Sequence, residues 1–169
     1  MALAKTVLST AVPRLSSLAS ASYFSSLKLN YAQQIRSMSR QVVSTKNAPA
    51  ALGPYSQAIV SDGLVFVSGQ IPINPASGQI ESENIVGQTE QVLKNLEAIL
   101  IASGSSIANV VKTTCFLSDI NEWPAMNDVY AKVFHTAPPA RSAFEVGKLP
   151  KDAKVEIEAI ARLDSRGSA

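Results

Sequence analysis

Val155-Glu156-Ile157-Glu158-Ala159-Ile160-Ala161-Arg162 is the stretch that decides the fold. Its residues alternate with a period of two, the repeat of a β-strand whose successive side chains leave opposite faces of a sheet. Val155, Ile157, Ala159 and Ala161 line one face, which is wholly apolar and suited to lie beneath helices. Glu156, Glu158, Ile160 and Arg162 line the other, which mixes charge with a large aliphatic group. A strand of this kind belongs to a sheet covered on one side only. The second face is left for water or another subunit, and its mixed character suggests an oligomer interface with polar groups gathered in it.

Two segments upstream supply the cover. Ile85, Val92, Leu93, Leu96, Ile99 and Leu100 recur at the three- and four-residue steps of one helix face. Ser82 or Asn84 can cap this helix, Gly104 can close it, and Glu90 and Lys94 stand at a supportive i,i+4 spacing. The second helix has Asn121 near its cap and Pro124 in its first turn, and Pro138-Pro139 forbids its continuation. Its apolar face is Trp123, Met126, Val129, Tyr130, Val133 and Phe134.

Strands are predicted at Gln41–Ser44, Tyr55–Val60, Leu64–Ser68, Val110–Leu117, Arg141–Val146 and Val155–Arg162. Asp62-Gly63 makes a hairpin turn, and Ile71–Glu81 and Lys148–Lys154 read as loops. The order β-β-β-α-β-α-β-β predicts an α+β domain: one sheet of six strands with two helices on one face.

Composition narrows the chemistry. The 169 residues are 46% hydrophobic and 17% charged, enough apolar content for one domain with a real core. No run reaches the roughly 18 apolar residues of a membrane span, so no membrane partner is expected. One cysteine, Cys115, and one histidine, His135, leave no disulfide framework, cysteine-based zinc cluster or multi-histidine metal site to expect.

Charge is distributed unevenly. Met1 to Lys46 carries six basic residues and no acid, whereas the remainder has nine basic residues against all 13 acids, a net charge of −4. Residues 1–40 also hold nine serines. A basic, acid-free, serine-rich leader with leucines at helical spacing is the composition of an organelle transit peptide. Residues 1–40 are therefore expected to direct import, into the mitochondrial matrix rather than a plastid, and to be removed from a domain spanning 41–169. The acidic body gives little attraction for nucleic acid.

Few reagents remain. Arg141 follows the stiff Pro138-Pro139-Ala140 segment, where a guanidinium can grip a carboxylate with two parallel hydrogen bonds. Glu156 and Glu158 lie roughly 6–7 Å apart on one strand face, and either can serve as a general base. Tyr55 follows the Gly53-Pro54 turn, and Ser68-Gly69-Gln70 ends a strand where backbone N–H groups can meet a ligand. Cys115 reads as an inert core thiol, and His135 as the favourable cation at a helix C-terminus.

Five separated segments carry a resemblance. They are Ala48–Ala58, Ser68-Gly69-Gln70-Ile71-Pro72, Pro139-Ala140-Arg141-Ser142, Leu149-Pro150 and Val155–Ala161. In order and spacing they resemble the YjgF/RidA family of enamine/imine deaminases, over about residues 41–163. With its leader, the chain is similar to the mitochondrial members of fungi. The resemblance implies a chorismate-mutase-like α+β fold, a homotrimer with sites between subunits, and no metal or cofactor. It implies hydrolysis of 2-aminoacrylate, 2-iminobutyrate and related 2-imino or 2-enamino acids, released by pyridoxal-phosphate enzymes, to 2-oxo acids and ammonia.

By the same resemblance, Arg141 binds the substrate carboxylate, Glu156 activates the attacking water, and Tyr55 lines the cleft. Gly69, Asn127, Ser142 and Ala143 fall at substrate-binding positions. Many members carry cysteine where this chain has Ala143, so a mechanism needing that thiol is excluded. RNA cleavage with inhibition of translation, or chaperone-like binding, are the other activities linked to the family.

Overall fold

A computed structural model describes residues 40–164. Strands β1 (Gln41–Val43), β2 (Ala58–Ser61) and β3 (Leu64–Gln70) form an antiparallel meander, followed by helix α1 (Ile85–Ala102). Then come β4 (Val110–Leu117), α2 (Trp123–Val133), β5 (Ala140–Glu145) and β6 (Val155–Arg162). The six strands form one sheet in the order β1-β2-β3-β6-β4-β5. Only β4 and β5 are parallel, because α2 carries the chain back across the sheet between them. The final strand thus becomes central, antiparallel to β3 on one side and β4 on the other.

Local chemistry explains the punctuation. Asp62 and Gly63 both take positive φ, 52° and 77°, the two-residue turn whose twist matches the flanking strands. Asn84 caps α1, its side-chain oxygen accepting from Gly87 N–H at 2.9 Å. The predicted face of α1 is buried throughout, and burying each such side chain contributes about 1.5–3 kcal/mol. Val65, Val67, Cys115, Leu117, Val155, Ile157, Ala159 and Ala161 meet the helices in one core. The opposite sheet face leaves Phe66 and Phe144 exposed.

Some details differ from the sequence reading. The second strand starts at Ala58, because Tyr55, Ser56 and Gln57 belong to an irregular segment that Gln57 organises. Asp119, rather than Asn121, supplies the cap, to a short 3-10 turn at Ile120–Glu122 that leads into α2. Glu90 and Lys94 do not pair. The ion pairs among the described residues are Lys148–Asp152 and Lys154–Glu122. The Lys148–Lys154 loop contains a 3-10 turn at Pro150–Asp152. His135 lies two residues beyond the last helical residue and is exposed. All of the predicted leader, residues 1–40, except its last residue lies outside the described residues.

Candidate active site

The pairing of β3 with β6 is irregular between Val67 and Gln70, which places Ser68 and Gly69 together against the β6 ladder. At this irregularity the Glu156 side chain lies against Gly69 so closely that a Cβ on Gly69 would meet Glu156 Oε1 at 1.8 Å. Only glycine leaves that volume free. The carboxylate enters a cavity of about 380 Å³ walled by Leu52, Tyr55, Gly69, Ile71 and Pro150. Removal from water, reinforced by the neighbouring Glu158 charge, pushes the Glu156 carboxyl above its ordinary value. A carboxylate that takes a proton more readily than a free one is suited to acid–base work.

The segment bearing Tyr55 is built by one buried amide. Gln57 Oε1 accepts from Thr45 N–H at 2.6 Å, while its Nε2 donates to the carbonyls of Thr45, Ala48 and Pro49. The Tyr55 hydroxyl accepts from Leu52 N–H at 3.1 Å, and half of the residue remains exposed. Asn95 of α1 secures the facing wall, donating to the carbonyls of Ile71 and Ile73.

Arg141 stands elsewhere. In register with Thr113 and, across β4, with Ala159, it leaves the helix-covered side of the sheet, whereas Glu156 leaves the open side. Strand spacing and rise put their backbones about 14 Å apart. Arg141 Nη2 donates to Asn127 Oδ1 at 2.8 Å, and the guanidinium lies over the rings of Tyr130 and Trp123. Ser142 points to the open face, its hydroxyl accepting from Lys112 Nζ at 2.8 Å. Ala143 is on the Arg141 side, paired in register with Cys115.

The sequence-predicted residues therefore fall into two separate groups within one chain, and Ser142, bonded to Lys112, joins neither. Tyr55, Gly69 and Glu156 share the cavity, and Arg141, Asn127 and Ala143 share the edge beside α2. No group of three or more His, Cys, Asp or Glu side chains among the described residues is placed to hold a metal. No helix there is long and apolar enough to cross a membrane.

Residues 45–163 match the family model described as endoribonuclease L-PSP. The chain belongs to the YjgF/RidA family. Reactive Intermediate Deaminase A, chloroplastic, of Arabidopsis thaliana is 52% identical over 127 residues, 75% of this chain and 68% of that protein. The 2-iminobutanoate/2-iminopropanoate deaminase of Capra hircus is 49% identical over 125 residues, 74% of this chain and 91% of that one. The Rid-family protein YyfA of Yersinia pestis superposes with a TM-score of 0.72 at 51% identity, covering 74% of this chain and all of that structure.

Within this RidA-family fold, the one thiol is set apart from solution. Cys115 is fully buried, and burial pushes its pKa up to about 11 against the opposing pull of Arg141. It stays a thiol at neutral pH and is a poor nucleophile. Trp123 and Tyr130 pack with the core as their helical spacing predicts, and they also flank Arg141, a contact the sequence reading did not expect. The available signal was their spacing with Asn127, at i, i+4 and i+7 along one helix stripe.

Proposed function

We propose that this protein hydrolyses 2-imino acids and their 2-enamino tautomers to 2-oxo acids and ammonia. The observation that carries the reading is the half-buried Glu156 carboxylate, destabilised as an anion and aimed across Gly69 into a small cavity. The relatives named as imine deaminases support it.

Arg141 takes the substrate carboxylate with two parallel N–H donors, which fixes the imine carbon in position. Glu156 accepts a proton from water as its oxygen bonds to that carbon, and the C=N π pair moves to nitrogen. That proton is delivered to nitrogen, giving the neutral carbinolamine. Glu156 then carries the carbinol O–H proton to the amine, and ammonia leaves as the oxygen lone pair forms the carbonyl. The imine carbon is already electrophilic, so orientation and one general base suffice. Such a base contributes on the order of 10²–10⁴ in rate. Tyr55 closes the cleft and Ala143 supplies no thiol.

The two half-sites of one chain are too far apart to share a small substrate. In the proposed homotrimer, the Glu156 cavity of one subunit meets the Arg141 edge of the next. Residues 1–40 direct this activity to an organelle, the mitochondrial matrix in our reading. A reporter fused to residues 1–45 checks that address, and plastid or cytosolic fluorescence rejects it.

The decisive assay couples a threonine dehydratase, which generates 2-iminobutanoate, to ammonia and 2-oxobutanoate detection with purified protein. Acceleration that is lost in Arg141→Ala supports the reading. RNA cleavage without deamination would move the chain to the endoribonuclease activity in the family's description.

A further inference from the structure

Arg141 is held in an unusual way for a buried-edge arginine. Its Cζ lies 4.5 Å from the centroid of the Tyr130 ring and 5.5 Å from that of Trp123, and Asn127 Oδ1 accepts from Nη2 at 2.8 Å. All three partners come from one stripe of α2. Tyr130 is itself fixed, its hydroxyl 2.7 Å from Thr113 Oγ1 and its ring stacked on Phe134 at 4.4 Å between centroids. No carboxylate among the described residues pairs with Arg141. Two π faces and a neutral amide orient the guanidinium without neutralising it or occupying most of its donors.

We propose that Trp123 and Tyr130 are positioning residues, a cation–π clamp that fixes the Arg141 fork for an incoming carboxylate. The proposal rests on the reading of Arg141 as the carboxylate-binding group. A glutamate in their place would hold the arginine equally still, but would compete with the substrate for the same N–H donors. Without any clamp, the long side chain would have to lose its rotamer freedom on each binding event. The rings remove that freedom in advance.

The test measures binding of 2-oxobutanoate to the full chain by calorimetry, alongside steady-state imine hydrolysis. Trp123→Leu should weaken 2-oxobutanoate and raise KM by about three- to tenfold, with a smaller fall in kcat. Trp123→Phe keeps a π face and should restore most of both, a rescue that a loss of general packing would not produce. If Arg141→Ala loses binding while folded Trp123→Leu binds like the wild type, the clamp is overturned and the carboxylate role survives. If Arg141→Ala itself binds 2-oxobutanoate normally, the carboxylate role falls and the clamp with it. Should Trp123→Leu fail to fold, NMR of the unaltered protein decides. Upfield, ring-shifted Arg141 Hδ signals support the clamp, and random-coil positions overturn it.

Discussion

Gly69 and Glu156 behave as one unit, because the carboxylate occupies the volume that any side chain at position 69 would need. A Cβ there would also lie 2.8 Å from Glu156 Cδ. The φ of Gly69 is not positive, so alanine meets no backbone strain and the whole effect comes from that contact. Gly69→Ala should displace the carboxylate and lower kcat about a hundredfold, with the fold retained by circular dichroism. Full activity in that variant would remove Glu156 from the mechanism. The proton balance gives a second prediction. An acid raised above its unfolded value of 4.5 keeps its proton longer in the fold. Its ionisation therefore subtracts stability as pH climbs from 4.5 through its raised folded-state value, while the base needed for catalysis appears. Glu158→Gln removes a like charge and should move the acid limb of kcat/KM to lower pH. Glu156→Gln should abolish turnover yet leave neutral-pH stability equal or higher, as read by thermal melting. An unmoved limb in Glu158→Gln assigns it to another group. The alternation of β6 made both glutamates legible on one face. The desolvation of Glu156 was not legible, since it comes from a strand irregularity and a loop distant in sequence.

At the scale of elements, regular pieces were readable and the irregular one was not. The periods of α1 and β6 are set by burial on one face, so apolar spacing places them, while β4 is marked by its β-branched and aromatic run; β4 and β6 have their predicted limits. The segment before β2 has no such period. Its shape comes from the Gln57 side chain, 4% exposed, satisfying one N–H and three carbonyls between residues 45 and 49. A side chain bonding backbone groups 8 to 12 residues away leaves no repeat in the sequence. Gln57→Ala would strand those groups in a half-buried setting. It should cost about 2–4 kcal/mol in a denaturant melt. Because the loop carries Tyr55, KM should rise as well. A change below about 0.5 kcal/mol would mean that water replaces the amide without loss. The same limit hid the arginine clamp. Helical spacing marks Trp123 and Tyr130 as inward, but only the parallel return of β5 brings Arg141 against them.

At the largest scale, the described domain has a sheet covered on one side, and the proposed site residues lie in two separate places on it. One arrangement answers both. Phe66 and Phe144 stand 42% and 53% exposed on the open face, with Lys112 in the row of Phe66 and Glu158 and Ser142 in the next row, across Thr114. Apolar groups interleaved with satisfiable polar ones are what a subunit interface buries. The one-sided sheet made an interface expected from sequence, but its symmetry was not legible, since no period encodes how copies turn about an axis. If each site takes Arg141 from one subunit and Glu156 from the next, two dead variants can repair each other. Arg141→Ala and Glu156→Gln, each purified alone, should lack activity at every site. Co-refolded in equal amounts, they assemble at random around the ring. A site then works only where a subunit with intact Arg141 precedes one with intact Glu156, which happens at about a quarter of interfaces whatever the ring size. Recovery of about a quarter of wild-type turnover, rising in neither variant refolded alone, is the expected result. If both residues served one site within the same chain, every site in the mixture would still lack one of them. The activity would then stay at the level of the separate variants, and the shared-site arrangement would be wrong.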